Sequence, residues 1–163
     1  MKERIPRRRA MRQAVYCVAV MGFIALTLPA RGLAGEARGA IQNKDFVVEE
    51  AFVENGILTL RQGKDFLADK KFMIFLFLKS GESVQGKTYT VNKDDGLKAG
   101  TPHVNVWWKE NGNLKSKSYM HGYDMTLKFG EIKGEKVPGE ISLQMPKEVG
   151  SSLKGTFQAT IKK

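Results

Sequence analysis

The chain is short of the residues that carry most enzyme chemistry. Among 163 residues there are one cysteine and two histidines. The cysteine, Cys17, lies inside an uncharged apolar run at 14–28 (AVYCVAVMGFIALTL). Tyr16 precedes it where a lipid-modified cysteine would require a small residue. No Gly-x-Ser-x-Gly, no phosphate-cradling glycine motif and no closely spaced histidine pair occurs. The apolar run has 15 residues, short of the roughly 20 that a spanning helix needs. An uncleaved anchor helix is therefore the weaker reading of this run.

Charge is abundant but uneven. The formal net charge is +10, from 27 Lys+Arg and 17 Asp+Glu. Taken whole, that suggests nucleic acid or an anionic surface. However, seven of the basic residues and one of the acidic ones lie in 1–34, which leaves 20 and 16, a net of +4. The surplus sits in a basic n-region, followed by the apolar run and small residues. That order is the pattern of a secretory signal peptide. Gly32 and Ala34 occupy the −3 and −1 positions of a cut after Ala34. The expected product starts at Gly35, is periplasmic or secreted, and has no stable transmembrane segment. It contains no cysteine, which excludes disulfides, thiol catalysis and Cys-ligated metals. A net of +4 spread over many turns gives no basic stripe, so nucleic acid is not an expected partner.

Segment 35–44 reads as a polar leader, and 45–163 as one domain. In that domain short apolar runs are punctuated by Gly, Asn-Gly and Pro, which predicts an all-β fold. Eight or nine short antiparallel strands are expected, packed as a β-sandwich, with a closed β-barrel as the alternative. One helical turn is possible at 65–69. Asn55-Gly56 predicts a two-residue hairpin with Val53 opposite Leu58, Ala51 opposite Leu60 and Glu50 opposite Arg61. Alternation places Tyr123, Met125, Leu127, Phe129, Ile141, Leu143, Met145, Leu153, Phe157, Ala159 and Ile161 inward.

Run 71–79 (KFMIFLFLK) is apolar on both parities between lysines, which predicts a strand covered on both faces rather than a buried helix. A two-layer sandwich leaves one face of each strand in water. Met73, Phe75 and Phe77 therefore form a candidate interface, to be covered by a loop, a second copy or an apolar ligand.

A second hairpin is expected to join 103–109 and 114–120 through 110–113. Trp108 opposite Leu114 keeps the lysines in water. That register collects His103, Asn105, Trp107, Lys109, Lys115, Lys117, Tyr119 and His121 on one outer face. It also turns Met120 and Tyr123 both inward, so a bulge or break is expected at His121-Gly122. The candidate ligand-binding residues are Trp107, Tyr119, Asn105, Lys109 and Lys117, because aromatics beside cations and amides suit a glycan or a protein partner. His103 and His121 are the candidate metal ligands, with Asp124 as a loose third. Segment 92–96 faintly resembles a calcium loop but lacks the alternating ligands and terminal Glu.

The expected function is that of an exported, non-catalytic binding or interaction protein using this aromatic and cationic face, without a cofactor. Its partner would be an envelope protein or a glycan, with a homo-oligomer as a further option. The alternatives are a His-dependent metal-binding or hydrolytic protein, and a structural subunit of a cell-envelope assembly.

Overall fold

The computed structural model describes residues 36–63 and 68–162. The expected signal peptide and most of the helical turn expected at 65–69 lie outside the described residues. Eleven strands are present among them: β1 (Arg38–Ile41), β2 (Lys44–Val47), β3 (Glu50–Glu54), β4 (Ile57–Gln62), β5 (Lys70–Phe75), β6 (Thr88–Val91), β7 (His103–Glu110), β8 (Asn113–Tyr119), β9 (Asp124–Phe129), β10 (Lys136–Gln144) and β11 (Ser152–Ile161). The one helical element described is a 3₁₀ turn at Lys147–Val149. No helix among these residues is long and apolar enough to cross a membrane.

The fold is all-β. In place of two packed sheets, the strands form one mixed sheet curled into a half-barrel, in the order β6-β9-β10-β11-β3-β4-β5-β7-β8. The cause is β11. It pairs antiparallel with β10 along nine positions. Its other edge takes β1 antiparallel at Ser152–Lys154 and β3 parallel at Thr160 and Ile161. One long strand thereby joins what would otherwise be two sheets. No pairing among the described residues links the edge strands β6 and β8, so the barrel stays open. Part of the segment read as a polar leader, 35–44, is structural: it supplies β1, and Ala37 and Ile41 are fully buried.

The first hairpin has the expected register, with Val53 opposite Leu58, Ala51 opposite Leu60 and Glu50 opposite Arg61. Asn55 and Gly56 both take positive φ, as a tight hairpin turn of this type requires. The inward residues of β9, β10 and β11 are buried as alternation predicts, with Ile161 only partly so. Across the core the ring of Phe46 meets Phe72 edge-on at 5.3 Å. Phe129 meets Phe157 in the same way at 6.1 Å. Gly139 lies opposite both Phe129 and Phe157, and a Cβ there would sit 2.3 Å from the Phe157 ring. This position must be glycine because the aromatic ring occupies the side-chain space.

Three expectations are corrected. The second hairpin is one residue out of the expected register: Lys109 faces Leu114, Trp108 faces Lys115 and Val106 faces Lys117. Its turn is the two-residue Asn111-Gly112, both at positive φ. The slip costs nothing because β8 is exposed along six of its seven residues, so no lysine on it enters the core. Met120 is 49% exposed, and Tyr119 is the residue that packs on the core. The chain does break at Met120–Tyr123, with Gly122 at φ 80°, but no clash of parity drives it. It carries the chain from one end of the sheet to the other. Finally, the strand expected over 71–79 ends at Phe75, and Phe77 takes a φ of 49°.

Tyr123 is buried and its hydroxyl donates to the Pro102 carbonyl. Burial pushes its phenol up to about 12. A tyrosine in the unfolded chain ionises near pH 10. The native state therefore holds the proton longer, and this group's stabilisation is present below about pH 10 and lost as pH rises towards about 12. Tyr123→Phe is expected to cost about 1 kcal/mol at pH 7. It should also flatten the alkaline fall in stability, read from urea unfolding at pH 7 and pH 11. Gly139→Ala is expected to lower unfolding stability by about 1–3 kcal/mol through overpacking against Phe157. An unshifted urea midpoint would show that the ring can move aside freely.

Candidate functional site

Residues paired directly across antiparallel strands share a face of the sheet. On the face away from the core, three rows run across β3, β4, β5 and β7. The first is Glu50, Arg61, Lys71 and Trp107, continued by Ser116 on β8. The second is Phe52, Thr59, Met73 and Asn105, continued by Ser118. The third is Glu54, Ile57, Phe75 and His103. A sheet face turned to water ordinarily carries polar residues. Here the middle row is apolar enough that Thr59, at its centre, is only 5% exposed.

A groove of about 230 Å³ crosses these rows. Phe52, Ile57 and Met73 form its apolar part with the largely buried Thr59 between them, Asn55 lines its far end, and Ala68 adds to its wall. Arg61 and Lys71 belong to one end row, and Glu54 to the opposite one. Arg61 donates through Nε to Glu50 Oε2 at 2.5 Å and is also ion-paired with it. The Lys162 ammonium lies 3.6 Å from the Phe52 ring centre and 4.0 Å from Glu50. Lys71 is different. It makes no ion pair with any described carboxylate, and its ammonium lies 4.5 Å from the centre of the Trp107 ring. Burial, and then the Arg61 charge, hold its pKa below the usual lysine value. A cation held against an indole gains some attraction, but a carboxylate would satisfy it far better.

Two more polar groups beside Lys71 lack partners. Trp107 Nε1 and Asn105 Oδ1 are buried and make no hydrogen bond, although Asn105 Nδ2 donates to Ser118 Oγ at 3.0 Å. Each such group carries a desolvation cost that ordinary folded structures avoid.

The corrected register divides the five expected ligand-binding residues. Trp107, Asn105 and Lys109 share the outer face, and Lys109 is drawn to Asp69 at 3.6 Å. Tyr119 and Lys117 pair with Val104 and Val106 and so lie on the opposite face. There the Lys117 ammonium sits 5.3 Å from the Tyr119 ring. Met73 and Phe75 are half-buried on the outer face. Phe77 is 51% exposed beside Leu97 at 60%, and its ring meets His103 edge-on at 4.6 Å. His121 is exposed in the bend after β8. Among the described residues no three His, Cys, Asp or Glu side chains gather as a metal site would require. In segment 92–96, Asp95 accepts from Asn92 Nδ2 at 3.1 Å and pairs with Lys98 at 3.1 Å. Those contacts, Asn92 foremost, hold its carboxyl below the usual range.

Sequence reasoning named Trp107 as a ligand-binding candidate and Met73 as an interface candidate, and missed the groove between Phe52 and Lys71. The available signal was Phe52 and Ile57 on the outward parity of a hairpin whose register was already fixed. No family model, curated protein or solved structure matches the chain.

Because Lys71 is partly desolvated and unpaired, Lys71→Met is expected to change folding stability by less than about 0.5 kcal/mol. Phe72→Ala, the next residue and fully buried, is expected to cost about 3–5 kcal/mol. Parallel thermal unfolding of the two variants checks this contrast. A large loss in Lys71→Met would assign the lysine to structure.

Proposed function

We propose that the chain is an exported, non-catalytic binding protein that takes an anionic ligand on the outer face of β4, β5 and β7. The observation that carries this reading is Lys71. It is a partly desolvated ammonium without a carboxylate among the described residues, seated on an indole at one end of a groove whose middle is apolar. In the free protein the indole is the one described group that offsets this cation, whereas an incoming anion would give it a charged partner. The neighbouring groups suit recognition. Arg61 is held by Glu50, Asn105 is an amide and Trp107 offers a flat ring, and none is a nucleophile beside a base. Export is supported by the basic, apolar and small-residue succession of 1–34. The described fold starts at Glu36, so a cut after Ala34 removes none of its strands. Anionic glycans and lipids of a cell envelope are therefore the ligand pool that such a protein would meet.

The test is thermal unfolding of residues 35–163 with matched charged and neutral probes: glucuronate against glucose, glycerol phosphate against glycerol, and decanoate against decanol. At least one anion is expected to raise the melting temperature above its neutral counterpart. A ligand at 100 times its Kd adds about 2.7 kcal/mol. The shift should vanish in Lys71→Met and persist in Lys117→Met, on the opposite face. An equal shift in both variants, or none with any anion, overturns the proposal.

A further inference from the structure

We infer that the ligand of this face is a single-chain amphiphile with one carboxylate head, a fatty-acid-like molecule bound as a monomer. This rests on the anion-binding reading above and adds its chemistry. The groove is polar in one direction only. Its cationic end carries Lys71 and Arg61, its middle is Phe52, Thr59 and Met73, and its far end carries Glu54. An anionic head is drawn to the first end and repelled from the last, which fixes its orientation.

The charge balance selects the head. Within the groove lining Arg61 is paired with Glu50, Lys162 reaches the same carboxylate from outside that lining, and Lys71 is the groove cation without a described carboxylate. A carboxylate matches one charge, whereas a phosphate monoester brings about −1.5 to −2. The floor selects the tail. Sugars present hydroxyls over their whole surface, whereas Phe52, Ile57 and Met73 offer them no partner, Thr59 between them is only 5% exposed, and the polar residues Glu54, Asn55, Arg61 and Lys71 stand at the two ends. At about 30 Å³ for a water-sized group, the groove of about 230 Å³ has room for roughly eight methylenes. Beyond it the same face continues over Phe75, which lies about 13 Å along β5 from Lys71 at about 3.3 Å per residue. A longer chain would therefore stay on apolar surface. Two copies of the chain set face to face on this surface would bring further Lys71 charge into the apolar patch, which disfavours a second copy as its occupant.

Isothermal titration with hexanoate, octanoate and decanoate below their micelle concentrations tests the inference. Acetate, decanol and octyl phosphate complete the probe set. The Kd is expected to fall by about two- to fourfold per added methylene, since a fully buried methylene is worth about fourfold. Lys71→Met should weaken octanoate at least tenfold, Lys71→Arg should retain binding, and Met73→Asn should flatten the chain-length series while leaving acetate unchanged. Acetate binding as tightly as decanoate would overturn the amphiphile and leave the anion site standing. Octyl phosphate binding more tightly than octanoate would overturn the carboxylate head. Lys71→Met without effect on any probe would overturn both the inference and the function on which it rests. Sedimentation showing a dimer that Met73→Asn disperses would assign the face to a second copy.

Discussion

The fold depends on a short parallel contact. Thr160 and Ile161 of β11 pair with Phe52 and Val53 of β3. Among the described residues this is the one ladder that joins the β6-β9-β10-β11 side to the β3-β4-β5-β7-β8 side. Lys162 N–H extends it by donating to the Val53 carbonyl at 2.8 Å. The partners come from opposite ends of the described chain, so this closure carries a large loop entropy and is not made by local sequence. Burial under the curl compensates for it. Phe46 from β2, which hangs on β1 and so on β11, packs on Phe72 of β5 and joins the two sides through the core as well.

That non-local origin explains what the sequence could and could not reveal. Inward and outward positions in β9, β10 and β11 were legible, because each of these strands has one face in the core and one in water. Asn55-Gly56 set its hairpin because turn chemistry and burial agreed. At Asn111-Gly112 the same dipeptide makes the same two-residue turn, whereas the register expected there rested on a burial argument. That argument assumed that both strands touch the core, whereas β8 projects beyond it. There the turn outweighed the pattern. The half-barrel itself was not legible, since nothing local in Thr160 or Ile161 indicates a parallel partner at Phe52.

The candidate site was partly legible for the same reason. Apolar residues on both parities of 72–75 showed that the outer face of β5 differs from an ordinary wetted face. Finding what lies beside Lys71 required the registers of β4 and β7. In the sequence Lys71 is one of the two lysines that bound an apolar run. In the fold it is a cation set on Trp107 and lowered in pKa by burial and by Arg61. Groups left unsatisfied in a folded protein concentrate where function outweighs stability. Trp107 Nε1 and Asn105 Oδ1, two of the four buried side-chain atoms without a hydrogen bond among the described residues, lie on β7 beside Lys71 of β5.

The exposed strand β8 has a further consequence. A half-barrel, unlike a closed one, leaves strand edges able to recruit strands from other molecules. β8 carries Lys115 and Lys117 on a strand exposed on both faces, so an added strand would set its own side chains against two ammonium groups and gain little burial. At the other edge, β6 is only four residues long and holds Thr88 and Thr90 outward. The lysines that first suggested a binding face thus help an open sheet resist being extended by its neighbours.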